Sequence, residues 1–420
     1  MRKYGIITLG CSKNLVDSER FAFIIERSGY ILTNNLETAD LIFVNTCGFI
    51  EEAKKEAIDT IFEALEYKKI GVCKKVIVSG CFVQRYFKNI QKEIPEIDNL
   101  INLKDFNSFA KLFEVDSFKN ERKLLSAPHY AYLRISDGCD SWCSYCTIPF
   151  IRGSMKSVPI ELLLEETKKL VGVKELILTS QNSALYGRDI YGECALPKLL
   201  EALSQIDSIK WIRVLYLHPD NITNEIIETM HNLPKVCNYF EVPLQHISQK
   251  ILTLMNRKRT KIDIENFIHK IRKKESVLRT TLISGFPTEN REDFLELQKF
   301  IKSTEFNRLG VFTYSNQEGT KSFNLKPQVS KKVANSRKKN LMEIQNKISK
   351  KWLKTFIGKQ LEIIIDYHVE KEKNKYVGRT RFDAPEIDGN VFVSGEVKVG
   401  EIYNCKIISS YEYDLEAIKL

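Results

Sequence analysis

The sequence predicts an α/β protein in three successive parts: a doubly wound parallel sheet, a partial or full βα barrel, and a small antiparallel β-barrel. Three observations carry that expectation. Short β-rich runs alternate with helical patterns through most of the chain. Six of the ten cysteines form two sets of three, one spread over strand ends and one packed into a single stretch. From residue 357 the alternation gives way to five β-rich runs bounded by Gly, Asn and Asp, the pattern of a small barrel.

In the first part, "YGIITLGC", "ADLIFVNTCGF" and "KKVIVSGCF" read as strands, and "SERFAFIIERSGY" and "EEAKKEAIDTIFEALEYKK" read as the helices between them. Each strand run ends in a cysteine, at Cys11, Cys47 and Cys81. A parallel sheet gathers the carboxyl ends of its strands on one edge, where such folds build their sites. Thiols far apart in sequence are therefore expected to converge. Three thiolates suit an iron–sulfur cluster better than zinc, because structural zinc takes four closed ligands and Cys73 stands before its strand, at the other edge. The competing reading is three small buried apolar residues that happen to end strands.

The second set lies in "YLRISDGCDSWCSYCTIPFIRG", where Cys139, Cys143 and Cys146 are spaced so that one loop can wrap one inorganic cluster. Three thiolates on a four-iron cluster leave one iron open for chemistry. A zinc knuckle is the alternative, but it needs a fourth ligand, and neither His129 nor Cys194 has the usual spacing. The pattern resembles the signature of the radical S-adenosylmethionine (SAM) enzymes, and the aromatic Tyr145 before the third cysteine is similar to that family too. The resemblance implies a cluster whose open iron chelates SAM, with Tyr145 beside the cofactor.

Beyond the cysteines, "KELILTSQN", "IRVLYLHP", "NYFEVPLQH", "LRTTLISGFP" and "RLGVFTYS" read as barrel strands, with "IELLLEETKKLVG", "NEIIETMHN" and "IDIENFIHKIRKKE" as helices between them. Polar residues close the runs, so Gln181, His218, Gln245, His246, Ser284 and Tyr314 are expected at the carboxyl-end mouth, where barrels place catalytic groups. For each one alone, a satisfied strand-end polar group is the competing reading. "ISGFPTEN" resembles the cofactor-binding segment of the family. Gln181, Arg279 and Gly285, with Tyr145, are therefore the candidate cofactor contacts.

The formal net charge is +10, and Lys321 to Lys354 hold eleven Lys or Arg against the single acid Glu343. Val333, Leu341, Ile344, Ile348 and Trp352 give this stretch one apolar side, so it reads as a basic amphipathic connector. Its outer face suits RNA phosphates, or is simply solvated. Residues 357 to 420 carry nine Lys or Arg and twelve Asp or Glu, a poor surface for nucleic acid. Asp383, Glu386 and Asp388 in "RFDAPEIDG" are expected to form an exposed loop that docks a basic protein, unless they only cap turns. No apolar run approaches the roughly 20 residues needed to span a bilayer, and no leader precedes the first strand, which leads us to expect a soluble, cytoplasmic protein. Ten cysteines in such a compartment point to metal rather than disulfides.

Taken in order, the three parts resemble the radical SAM methylthiotransferases over essentially the whole chain. "LGCSKNLVDSER" and "GRTRFDAPEIDG" are similar to the branch that modifies an aspartate in protein twelve of the small ribosomal subunit, whereas Ser12 and "GFPTEN" depart from its usual Pro and "GFPGET". The resemblance implies domains at 1–118 with one cluster, 125–325 as the radical SAM core, 326–356 as the connector and 357–420 as an OB-like barrel of the TRAM type. It implies two 4Fe-4S clusters as cofactors. One SAM is cleaved at Cys139, Cys143 and Cys146 to a radical that takes hydrogen from the aspartate β-carbon; a second supplies a methyl group to sulfur at Cys11, Cys47 and Cys81. The implied partners are the ribosomal protein, an electron donor, a sulfur donor and ribosomal RNA at the connector, with no membrane. A methylthiotransferase acting on tRNA adenosine is the alternative, and a noncatalytic RNA-binding iron–sulfur regulator a more distant one.

Overall fold

The computed structural model describes residues 1–116, 121–370, 372 and 374–420. The chain forms two compact units, each assembled from separate segments: Met1–Ser126, Asp137–Lys156 and Ser315–Phe323 in the first, and Ala127–Ser136, Ser157–Tyr314 and Asn324–Leu420 in the second. The boundary expected at residue 118 lies outside the described residues.

The first unit is built on five parallel strands: β1 (Arg2–Thr8), β2 (Tyr30–Leu32), β3 (Leu41–Thr46), β4 (Lys75–Gly80) and β5 (Asn99–Leu100), ordered β2-β1-β3-β4-β5. Helices α1 (Ser12–Arg27), α2 (Glu51–Ile70), α3 (Cys81–Glu93) and α4 (Phe106–Leu112) cover its faces. Successive strand residues point to opposite faces. Accordingly Ile42, Val44, Val76 and Val78 pack with Ala57, Ile61 and Val83 of α2 and α3, while Leu41, Phe43 and Ile77 pack with Phe21, Ile24 and Phe109 of α1 and α4. Both faces are apolar because both are covered, as a parallel sheet requires. The order reverses direction between β1 and β3, the switch point at which ligand sites form in such sheets.

In the second unit, six short strands run parallel in chain order. Tyr130–Arg134, Glu175–Thr179 and Trp211–Val214 form one sheet, and Tyr239–Glu241, Val277–Ser284 and Arg308–Thr313 form the other. An isolated bridge from Ile212 to Val236 and the bond from Leu217 N–H to the Glu241 carbonyl link the two. The helices between them include Ile160–Lys168, Asn224–Asn232 and Lys261–Ile271, where the apolar spacing placed them.

The last five strands close into a barrel, with four antiparallel pairings and one parallel pairing, Val391–Ser394 with Leu415–Lys419. This is the small antiparallel barrel expected from the sequence, with one parallel pair where its last strand joins. The helix Lys331–Lys354 precedes the barrel, and Ser330 caps it by accepting from the Val333 amide. Its buried side is Ala334, Leu341, Gln345, Ser349 and Leu353, while Val333 is exposed and Ile344, Ile348 and Trp352 are half-buried, so apart from Leu341 the inward row is set one position over from that expected.

Within this unit the barrel is joined to the parallel strands by buried ions. Arg379 donates to Glu175 at 2.7 Å and to both Asp366 carboxylate oxygens at 2.8 and 2.9 Å, Arg213 donates to Glu175 at 2.8 Å, and His129 meets Asp366 at 2.8 Å. These contacts overturn the reading of Asp383 and Asp388 as an exposed docking loop. Asp383 pairs with Arg308 and accepts from Thr380 at 2.6 Å, and Asp388 accepts from Tyr239 at 2.6 Å and from Arg279 at 3.3 Å. Both carboxylates face inward because buried cations and hydroxyls satisfy them there. Glu386 is exposed and accepts from the Tyr130 hydroxyl at 3.2 Å, so one acid remains where three were expected.

Candidate functional site

The first unit brings both cysteine sets into one body. Cys11 follows β1 and caps α1, Cys47 follows β3, and Cys81 opens α3 directly after β4. The sheet order places Cys11 and Cys47 on either side of the switch point. Gly10 permits their approach: its φ is +91°, and a side chain there would meet the Cys47 Sγ at 2.9 Å.

The electrostatics are those of an anion site. Burial opposes ionisation of Cys11, but Lys13, Arg152 and the Asn14 and Lys13 amides overcome it and hold this thiol below its ordinary value. Burial, then repulsion from Cys11 and Cys47, pushes Cys81 up to about 12 against the pull of Arg152. Burial also raises Cys47. Three thiols that oppose one another's ionisation become thiolates together only when a cationic centre binds among them. The donor set, three thiols beside fixed cations, suits a cluster with one open iron better than structural zinc, which takes four closed ligands.

The second set lies in a loop closed by the Cys139 N–H to the Gly153 carbonyl at 3.0 Å, with Cys146 N–H bonded to the Cys143 carbonyl at 3.0 Å. The Ser144 carbonyl accepts from Ser322 at 2.9 Å, and a one-turn helix, Ile148–Arg152, ends the loop. Burial raises Cys139, against the Ser141 hydroxyl and amide. Tyr145 is half-buried in this loop between Ser144 and Cys146.

Sequence reasoning missed the residue at the end of that helix. Arg152 lies at 3.5 Å from the Cys81 Sγ, and the same nitrogen is 2.7 Å from Asn14 Oδ1 and 3.1 Å from Asp17. Its other terminal nitrogen is 3.2 Å from both Asp137 oxygens. The signal available was a lone Arg six residues after Cys146; its partners stand up to 138 positions away, which no local pattern reveals.

In the second unit, the polar residues expected at the barrel mouth do follow carboxyl strand ends, but several are committed to neighbours. The Ser284 hydroxyl donates to the Ala334 carbonyl at 3.0 Å, His218 Nε2 is 2.7 Å from Arg257, and Tyr314 packs edge-on to Phe286 at 5.3 Å. His246 Nδ1 accepts from Ser248 at 2.9 Å. Gln181 is half-buried after Glu175–Thr179. Gly285 follows Val277–Ser284 with φ +76°, its amide held by Glu289 at 2.6 Å and its face against Ala334. Arg279 is a correction. It stands near the amino end of that strand, away from the mouth, where Glu241 at 2.7 Å and Asp388 hold it as part of the barrel anchor.

Comparison with known proteins follows the same division. Residues 3–102 match Uncharacterized protein family UPF0004, residues 133–301 the Radical SAM superfamily, and residues 357–418 the TRAM domain. Ribosomal protein uS12 methylthiotransferase RimO of Petrotoga mobilis is 45% identical over 433 residues, covering 99% of this chain and 99% of that protein. The chain belongs to the ribosomal protein uS12 methylthiotransferase family. The RimO of Aquifex aeolicus is 44% identical over 420 residues, covering 98% and 96% of the two chains. As a family member the chain is a radical SAM methylthiotransferase that uses an iron–sulfur cluster and SAM. Among solved structures, the radical SAM methyltransferase TsrM of Kitasatospora setae shares the fold at a TM-score of 0.57 and 11% identity, over 77% of this chain and 74% of that one. The radical SAM enzyme OxsB shares it at 0.51 and 11%, over 83% and 56%. No helix among the described residues is long and apolar enough to cross a membrane.

Proposed function

We propose that this chain adds a methylthio group to the β-carbon of an aspartate in ribosomal protein uS12, with two 4Fe-4S clusters, one at Cys11, Cys47 and Cys81 and one at Cys139, Cys143 and Cys146. The observation that carries the reading is two complete cysteine sets within one unit of a chain that matches named uS12 methylthiotransferases end to end. When bound, the clusters and SAM supply the reductive cleavage and the sulfur transfer that acid–base side chains cannot provide.

The protein's own part is placement and charge. The α1 and α3 N-termini, Lys13 and Arg152 offset the negative charge of the first set. The closed loop at Cys139–Gly153 fixes the second. Gln181, Gly285 and Tyr145 remain the proposed SAM contacts. The parts 1–118, 125–325, 326–356 and 357–420 are proposed as its functional divisions.

Ribosomal RNA is proposed to meet the connector helix, whose Lys331, Lys332, Lys338, Lys339, Lys347 and Lys354 are exposed. An electron donor and a sulfur donor complete the partners, in the cytoplasm. Mass spectrometry of ribosomal proteins and tRNA from a strain lacking the gene tests the assignment. Loss of one methylthio mass from uS12, with tRNA unchanged, is expected; loss from tRNA alone would overturn it in favour of the adenosine substrate.

A further inference from the structure

We propose that Arg152 is a positioning residue for the cluster at Cys11, Cys47 and Cys81, and that its guanidinium raises that cluster's reduction potential. The inference rests on the two-cluster reading above. Its geometry is independent of that reading: one terminal nitrogen lies 3.5 Å from the Cys81 Sγ and bonds Asn14 and Asp17, while the other spans both oxygens of Asp137. Arg152 is 5% exposed, so water screens its charge little; Asp17 and Asp137 offset part of that charge, and removing the guanidinium would leave both carboxylates facing the set. A buried guanidinium is held in place only by partners that use its fork, and here four side chains do so.

The placement has a chemical consequence. A cluster held by three thiolates becomes more negative when it accepts an electron. A fixed cation and a hydrogen bond to a ligand sulfur stabilise that reduced form, so they raise the potential. Arg152 also ends the loop that carries Cys139, Cys143 and Cys146, and Lys104 holds that end by donating to the Arg152 carbonyl at 3.1 Å. One residue of the second cysteine segment thereby completes the surroundings of the first set.

The test uses the full chain with Cys139, Cys143 and Cys146 all replaced by Ala, so that only the first cluster is loaded, and reads its one-electron midpoint by redox titration followed by EPR. Arg152→Gln is expected to shift the midpoint to more negative potential, and Arg152→Lys, which keeps the charge, to restore most of it. An unchanged midpoint in Arg152→Gln, or equal shifts in both variants, overturns the proposal. If Arg152→Gln holds no iron, Arg152→Lys alone decides: a midpoint near the parent supports it, and loss of iron there too overturns it. In the reciprocal background, with Cys11, Cys47 and Cys81 replaced by Ala, Arg152→Gln is expected to leave iron content unchanged. An equal loss there marks a general disturbance of the loop and overturns the assignment. No iron in the parent with Arg152 intact would instead refute the two-cluster reading itself.

Discussion

Replacing Arg379 with Met tests whether the terminal barrel is anchored by buried charge. Arg379 is 3% exposed as a side chain and serves two carboxylates, Glu175 at 0% and Asp366 at 13%. Met preserves much of the aliphatic bulk but leaves Glu175 with only Arg213 and Asp366 with only His129. Removing one partner of a buried ion pair costs about 3–5 kcal/mol, because the remaining charge is stranded away from water. At about 2 °C per kcal/mol for a cooperative unit of this size, thermal unfolding of Arg379→Met is expected about 6–10 °C below the parent. The exposed pair Lys350–Glu412, half accessible on both sides, supplies the control; Lys350→Ala is expected to cost under about 1 kcal/mol. Adding Asp366→Asn to Arg379→Met should recover part of the loss, since Glu175 still has Arg213 and the carboxylate that lost its guanidinium is then neutral. Circular dichroism melts of the four proteins decide the matter. If Arg379→Met unfolds with the parent, or if Asp366→Asn gives no recovery, the argument from buried charge is wrong.

Four further outcomes are expected. Replacing Cys139, Cys143 and Cys146 together by Ala should leave about half the iron after anaerobic reconstitution, by the cluster stoichiometry of three thiolates each; loss of all iron or none contradicts two independent sites. Replacing Cys11, Cys47 and Cys81 should leave reductive SAM cleavage, read as 5'-deoxyadenosine, while abolishing methylthiolated product by mass spectrometry. Asp383→Asn, at an acid paired with buried Arg308, should lower stability by about 2–4 kcal/mol in urea melts; weakened substrate affinity with unchanged stability would return this acid to a docking role. Burial pushes His246 down from its ordinary 6.5 to about 3, so both states are neutral above pH 6.5, and below it the unfolded chain takes up a proton that the folded one refuses. Stability should therefore fall from pH 6.5 toward 3, and His246→Gln should flatten the urea-melt profile by up to about 1.4 kcal/mol per pH unit; identical slopes would show that His246 is not the group responsible.

Periodicity and spacing were enough to locate β1, β3, β4, α1 and α2 of the first unit, because covered central strands are apolar throughout and their helices repeat at the usual interval; the short edge strands β2 and β5 and the helices α3 and α4 were not read from the sequence. The same holds for the six cysteines: strand-end positions 36 and 34 residues apart converge in any parallel sheet, and three thiols within eight residues share one loop in any fold. The barrel's five runs were equally visible, since turn residues mark their ends. Only the tertiary structure decided the fate of single charges. Asp383, Asp388 and Arg279 look alike in sequence whether they meet solvent or each other, and they meet Arg308, Tyr239 and Glu241 because the barrel packs on strands far away in the chain. Arg152 is the same case at the cysteines. Its partners Asn14 and Asp17 lie on α1, and a charge's role depends on distance in space, which a linear pattern does not carry.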